Sequence, residues 1–233
     1  MRVGIIGAGQ MGQVLARGLA GLGHPVSLAA SRGPESLAAL AAEVGATPAS
    51  VAGAVSGAGV VILAIPTKAV PDLPPELLAD LAADAVVIDI GNYHPELRDG
   101  RIEAIEGGMP DSQWVAGQVG RPVVKAFNSI FAASLREKGV ARGTKGRIAI
   151  PVAGDPPEAR AVVLRLVDNL GFDPVDAGGL DDSWRQQPGT PAYCRDLDAT
   201  ALRRALAEAE RSRVGEYRAG EEARIRRWIE TGA

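Results

Sequence analysis

Residues 1–32, MRVGIIGAGQMGQVLARGLAGLGHPVSLAASR, decide the fold. The apolar run Arg2-Val3-Gly4-Ile5-Ile6 leads straight into Gly7-Ala8-Gly9-Gln10-Met11-Gly12. From residue 10 to about residue 21 the spacing is helical, with Met11, Val14, Leu15 and Leu19 on one face. Val26-Ser27-Leu28-Ala29-Ala30 then has the pattern of a second strand, closed by Ser31-Arg32. Strand, glycine turn, helix and strand in this order form a dinucleotide-binding fingerprint in its proper context. Gly7 permits the tight turn, Gly9 lets the backbone approach a pyrophosphate, and Gly12 lets the helix pack closely on the strand. The helix start at Gln10 and Met11 presents unpaired N–H groups and the positive dipole end, so both join the glycines as binding positions. The alternative is an ordinary glycine-rich turn between a strand and a helix.

The end of the second strand bears on which dinucleotide is bound. An NAD site is expected to carry an Asp or Glu about 20 residues past the fingerprint, on the ribose 2′-hydroxyl. Here that position holds Ser31-Arg32, and the first carboxylate is Glu35. An acid would repel a 2′-phosphate, whereas a guanidinium and a hydroxyl can bind it. NADP(H) is therefore expected over NAD(H), unless Arg32 is only a solvated loop charge.

The 233 residues suffice for one large α/β domain, or a domain with a small companion. Hydrophobic residues make up 46% but aromatics only 4%, so the core must be built from Ala, Val, Leu and Ile. The net charge of −3 argues against general nucleic-acid binding, which favours a basic footprint. Cys194 is the single cysteine, which excludes an internal disulfide and a cysteine metal cluster. Neither His24 nor His94 has metal-ligand company in the sequence, so no metal is expected. No uninterrupted apolar stretch approaches the roughly 18 residues of a membrane span. The sequence enters a strand pattern at once, without the charged and apolar regions of a secretion signal, so a cytoplasmic location is the expectation.

Beyond Arg32 strands and helices alternate. Helices are expected over 35–44, 50–56, 76–82, 129–138 and 156–170, with short ones near Ile102 and Gln113. Strands are expected over 60–65, 85–90, 122–127, 146–152 and 172–176. The runs Val60-Val61-Ile62-Leu63-Ala64-Ile65 and Ala85-Val86-Val87-Ile88-Asp89-Ile90 suit strands buried on both faces of a parallel sheet. This alternation predicts an α/β fold of the Rossmann type, doubly wound, with a mainly parallel sheet, additional strands and a C-terminal helical extension. The expected division is 1–177 for the nucleotide-binding unit with its extra αβ units. The remainder, 178–233, would supply an acceptor-side loop and a helical segment. From Ala201 onward eight arginines and six glutamates are interspersed, the pattern of an ion-paired helix that Gly215 and Gly220 are expected to break in two.

In open parallel sheets, ligands collect at the carboxyl ends of the strands near the switch point. This rule selects Ile65-Pro66-Thr67, Gly91-Asn92-Tyr93-His94 and Lys125-Ala126-Phe127-Asn128-Ser129. Ile65 and Pro66 can form an apolar shelf behind a nicotinamide, or merely end a strand. Lys125 can contact a phosphate, polarise a carbonyl or orient an acceptor; otherwise it snorkels to solvent. Asn128 can bond the nicotinamide ribose or carboxamide, or cap the helix expected at Ser129. Tyr93 and His94 are candidate proton donors, with Lys125 the third weak candidate for a catalytic group, although Tyr-His-Pro also suits a loop in which Pro95 starts a helix. The loop from Ser183 to Pro191 carries Trp184, Gln186 and Gln187; it can line a pocket for a planar ligand, or form a surface or dimer contact.

Together the opening fingerprint, Ser31-Arg32, the Asn92-Tyr93 turn, the Lys125-Ala126-Phe127-Asn128 strand end and the Trp184…Pro188-Gly189-Thr190 loop resemble one family. It is that of the NADP oxidoreductases dependent on coenzyme F420, whose relatives include the cytosolic domain of the STEAP metalloreductases. The resemblance runs from Met1 to about Asp198. It implies hydride transfer between NADPH and a flavin-like acceptor, a deazaflavin such as coenzyme F420, a flavin or a quinone, stacked on the nicotinamide. It also implies a homodimer, and it assigns Ser31 and Arg32 to the 2′-phosphate. Catalysis would then rest mostly on positioning two rings in contact. Two other readings stay open: an NADP(H)-binding redox sensor without activity, and a small carbonyl or imine reductase, although only some 40 residues follow Tyr193 where such reductases carry a longer helical domain.

Overall fold

The computed structural model describes residues 1–232. Six parallel strands form the main sheet: β1 (Val3–Ile6), β2 (Val26–Ala29), β3 (Thr47–Ala49), β4 (Val60–Leu63), β5 (Val86–Asp89) and β6 (Val123–Lys125). Their spatial order is β3-β2-β1-β4-β5-β6. The order reverses at β1, which pairs with β2 on one side and β4 on the other. This is the doubly wound arrangement, in which all six carboxyl ends share one edge and the crevice opens beside β1.

The apolar runs become strands because both faces are covered. Val60 and Ile62 enter a core with Leu15 and Leu19 of α1 (Gln10–Gly21) and with Val163 and Leu166 of α7 (Pro157–Asn169). Val61 and Leu63 point the other way, to Val55 of α3 (Val51–Val55) and Val115 of α5 (Asp111–Val119). The remaining helices before α7 are α2 (Ala38–Glu43), α4 (Glu103–Glu106) and α6 (Ala132–Glu137).

Three expectations are corrected. Residues 76–82 form turns rather than a helix. The segment's N–H groups close three-residue turns, Leu77 onto the Pro74 carbonyl, Ala79 onto Glu76 and Leu81 onto Leu78, and the carbonyls of Leu78, Leu81 and Ala82 accept from the Arg121 guanidinium at 2.9–3.1 Å. The late strands β7 (Ala149–Val152) and β8 (Asp173–Asp176) do not extend the main sheet. They form a separate parallel pair, joined to β6 by one antiparallel bridge between Lys125 and Ala153. Finally, Gly215 and Gly220 do not break the last helix. The interruption falls at 209–213, between α8 (Ala199–Glu208) and α9 (Val214–Thr231). Ala209 is already extended, with ψ 137°. A Cβ at either glycine would meet no atom within 4 Å, so neither marks a close approach.

The C-terminal segment is not uniformly solvated. α8 packs Leu202, Ala205 and Leu206 against Ala149 and Val175 of the small sheet. α9 carries ion pairs of the expected kind, Glu216 with Arg213 just before the helix and Arg224 with Glu221, but buries Arg218 and Glu222. Past Glu222 the helix leaves the body, and Trp228 and Ile229 are 63% and 67% exposed. No helix among the described residues is long and apolar enough to cross a membrane.

Candidate active site at the carboxyl edge of the sheet

The glycine turn has the geometry its sequence predicts. Gly7 has φ +116°, and a Cβ there would stand 2.2 Å from the Ala64 carbonyl oxygen. A Cβ at Gly12 would stand 2.0 Å from the Gly7 oxygen, so α1 can lie against β1 only with glycine at this position. Gly9 differs: its Cβ would enter open space. Gly9 is the N-cap residue of α1, no side chain caps the helix, and its first turn holds no acid. Gln10 is exposed and Met11 half-buried beside it. A free cradle of N–H groups at a positive dipole end fits a pyrophosphate.

Ser31 and Arg32 lie in the turn after β2, both exposed, and the turn closes through Gly33 N–H to the Ala30 carbonyl at 3.2 Å. Arg32 makes no hydrogen bond or ion pair with another described residue. Ile65 and Pro66 sit half-exposed at the end of β4, and a Cβ on Gly7 would lie 3.1 Å from the Ile65 side chain. The fingerprint and the apolar shelf are thus neighbours across β1 and β4.

The polar residues of the edge form two linked networks. In the first, Asn92 and Asn128 bind each other and the loop after β8. Asn128 Nδ2 donates to Asn92 Oδ1 at 3.1 Å and to the Gln186 carbonyl at 2.8 Å, while Asn128 Oδ1 accepts from Gln186 Nε2 at 2.9 Å. Asn92 Nδ2 donates to the Asn128 carbonyl at 2.9 Å and approaches the Tyr193 hydroxyl at 3.2 Å. Asn128 does not cap α6, whose N-cap is Phe131. Its amide is spent on fixing the edge.

Lys125 heads the second network. It does not snorkel; its side chain is fully buried. Nζ donates to Asp89 Oδ2 at 3.0 Å and to the Gly91 carbonyl at 2.6 Å, and it lies 3.3 Å from Asp111 Oδ1. These three partners use the whole donor capacity of an ammonium. Burial opposes the charge, but Asp111 and Asp89 outweigh it and hold the Lys125 pKa above its ordinary value. Asp89 Oδ1 also accepts from Gly91 N–H at 2.8 Å, Ser112 Oγ donates to Asp89 Oδ2 at 2.6 Å, and Gln187 Nε2 donates to Asp111 Oδ1 at 3.0 Å. Lys125 therefore anchors the Gly91-Asn92 turn from below.

Tyr93 and His94 face α9. The Tyr93 hydroxyl accepts from Ile102 N–H at 2.8 Å, and the Arg218 guanidinium lies 4.8 Å from its ring centroid. His94 is buried, with Nδ1 unpartnered and 3.9 Å from Glu222 Oε1. Burial, reinforced by Arg98, depresses its pKa. Neither side chain makes a hydrogen bond to Asn92 or Asn128. Trp184 does not offer an open stacking face either: it is buried, with the Arg185 guanidinium 4.4 Å from its ring centroid. The thiol of Cys194 is pushed up to about 12, chiefly by burial.

Asp89, Asp111, Gln186, Gln187 and Tyr193 are the site residues that strand-end reasoning alone does not select. Asp89 had one usable signal. It is a carboxylate inside an apolar strand, in register with Lys125 of the neighbouring strand, and each requires a partner.

A six-stranded doubly wound sheet with this glycine cradle at its switch point is the framework of a pyridine-nucleotide oxidoreductase. Residues 2–93 match the family model described as NADP oxidoreductase, coenzyme F420-dependent. Among solved structures, the hypothetical protein SMa0349 from Sinorhizobium meliloti is 31% identical, with 84% of this chain and 94% of that one covered and a TM-score of 0.71. A protein from Arthrobacter sp. FB24 described as an F420-dependent NADP-reductase shares the fold at 24% identity and a TM-score of 0.61, over 77% of this chain and 86% of that one. The Escherichia coli K12 protein YjhV is 49% identical over 77 residues, a match that spans 33% of this chain and 54% of that protein.

Proposed function

We propose that the protein binds NADP(H) along the carboxyl edge and transfers a hydride between NADPH and a planar, flavin-like small molecule: coenzyme F420 or another deazaflavin, a flavin, or a quinone. The observation that carries the cofactor choice is Arg32. It is an exposed guanidinium without a protein partner, one residue from Ser31 and free of any neighbouring acid until Glu35. Gly7, Gly9, Gln10, Met11 and Gly12 would hold the pyrophosphate, with Ile65 and Pro66 behind the nicotinamide. Asn92 and Asn128 would shape its ribose side through their backbone and shared network, held by Lys125.

The same edge supports the acceptor class. Lys125 has no free donor, the Tyr93 hydroxyl lies against Ile102 N–H and has Glu106 as a side-chain partner, and His94 Nδ1 faces Glu222. A carbonyl or imine reductase needs a group that protonates the product as hydride arrives. A flavin-like ring needs close stacking and exchanges its proton with solvent. The lack of a committed proton donor also favours a second reading, a redox sensor that binds NADP(H) without turnover. We include a cytoplasmic homodimer in the proposal, with the projecting apolar end of α9 as the surface that pairing would bury.

NADPH oxidation followed with deazaflavin, flavin, quinone, ferric chelate and carbonyl panels separates these readings. Turnover with a flavin-like acceptor is expected. Tight NADPH binding without turnover on any panel supports the sensor, and turnover restricted to carbonyls or imines overturns the flavin-like assignment.

A further inference from the structure

Beneath the proposed nicotinamide edge, Asp89 and Asp111 share one cation, Lys125. All three are buried, at 2%, 2% and 0% exposure. Asp89 uses both oxygens as acceptors, from Gly91 N–H, Ser112 Oγ and Lys125 Nζ. Asp111 uses only Oδ1; its Oδ2 is buried with no partner. Two carboxylates and one ammonium leave a surplus of one negative charge. Neighbouring charges pair off separately, Arg98 with Asp99 at 2.9 Å and Arg218 with Glu106 at 2.9 Å.

We infer that this surplus charge tunes the bound cofactor, with Asp111 as the residue that supplies it: the site binds NADP+ more tightly relative to NADPH than a charge-balanced edge would. The inference rests on NADP(H) binding at this edge. When NADPH gives up a hydride, its C4–H bond breaks, both electrons leave with the hydrogen to the acceptor, and the nicotinamide ring gains one positive charge. A fixed negative charge below the edge favours that charged product. The effect does not depend on an exact placement. β1 and β6 are three strand spacings, roughly 14 Å, apart. One unit charge at an effective dielectric near 20 alters an equilibrium about sixfold even at roughly 15 Å.

Asp111 thus has a role distinct from anchoring. A second acceptor oxygen is not needed to hold Lys125 or Gln187, since both engage Oδ1. An asparagine would keep those bonds with its own oxygen and remove only the charge. The polarity of the effect makes NADPH the stronger reductant on the protein and biases the reaction toward acceptor reduction.

Dissociation constants of NADP+ and NADPH, measured by calorimetry or fluorescence for the whole chain, test this without any acceptor. Asp111→Asn is expected to raise the NADP+ constant relative to that of NADPH by about fivefold or more. A tenfold change in this ratio corresponds to about 30 mV in the two-electron potential. Asp89→Asn is expected to move the ratio the same way, and Asp111→Glu, which keeps the charge, to leave it near the wild-type value. Asn variants that bind both nucleotides with an unchanged ratio overturn the inference while leaving NADP(H) binding intact. Wild-type protein that binds neither nucleotide overturns the NADP(H) assignment itself, and this inference with it.

Discussion

Asn92 and Asn128 exchange hydrogen bonds across the ends of adjacent strands: Asn92 Nδ2 reaches the Asn128 carbonyl at 2.9 Å, and Asn128 Nδ2 reaches Asn92 Oδ1 at 3.1 Å. Gln186 completes the set through both its carbonyl and its side-chain amide. The pair is a structural clamp that joins β5, β6 and the loop after β8.

Replacement of Asn128 by Ala leaves the Gln186 carbonyl, Gln186 Nε2 and Asn92 Oδ1 without their partner in a buried setting. Unsatisfied buried groups cost about 1–3 kcal/mol each, with partial relief by water. A loss of about 2–4 kcal/mol is expected. For a chain of this size that lowers Tm by roughly 5–12 °C. Calorimetric melting checks it; a Tm unchanged within a degree would show that the clamp contributes nothing.

Lys125→Met is expected to be more damaging. It leaves Asp89 and Asp111 facing each other in the interior without their shared cation. Breaking a buried pair by removal of one partner costs about 3–5 kcal/mol. Urea unfolding is the measurement, with a midpoint well below wild type as the expected result. The double replacement Lys125→Met with Asp111→Asn should recover part of the loss, because one unpaired charge goes with it.

These networks mark the boundary of what local pattern conveys. The apolar runs before Gly7, Ala64, Ile90 and Ala126 identify buried strands, and the glycine spacing locates the cradle, because both are consequences of chain geometry over a few residues. Lys125 and Asn128 are conspicuous for the same reason: polar groups at the ends of buried strands. Their partners are not. Asp111 opens a helix in a polar, irregular stretch, and Gln186 and Gln187 arrive from some 60 residues further on, so nothing periodic connects them. The separation of β7 and β8 from the main sheet is likewise a matter of long-range register, settled by the single bridge from Lys125 to Ala153. Trp184 shows the limit of side-chain chemistry alone. An indole in a polar loop suits a planar ligand, yet packing turns it inward.

Arg32→Ala tests the cofactor choice without touching the core. Hydrogen bonds to a charged phosphate contribute about 1.5–3 kcal/mol each. The dissociation constant for NADP(H) should rise by about 10–100-fold, while that for NAD(H) changes little. Adding Ser31→Asp should lower the NADP(H) affinity further through repulsion of the 2′-phosphate. Titration of both nucleotides against both variants decides the matter, and an unchanged preference for NADP(H) would remove the two residues from its origin.

His94 links the α9 contact to pH. Burial is the largest cause of its depressed pKa, with Arg98 next; Asp99, Glu221 and Asp111 act in the opposite sense. The folded protein thus holds the imidazole neutral in a range where the unfolded chain, near 6.5, already takes up a proton. Between the folded and unfolded values the unfolded state binds more protons, so stability rises with pH there and falls as pH drops below about 6.5. Glu222 acts with the opposite sign: burial raises its pKa, so its folded carboxyl holds a proton above the ordinary value, and stability falls as pH rises through that window. Subtraction separates the two. His94→Gln removes the imidazole term and leaves Glu222 in place. Tm measured from pH 7.5 down to pH 5.5 should fall more steeply for wild type than for His94→Gln. Parallel curves would mean that His94 titrates alike in the folded and unfolded chains, and that its burial under α9 has no pH consequence.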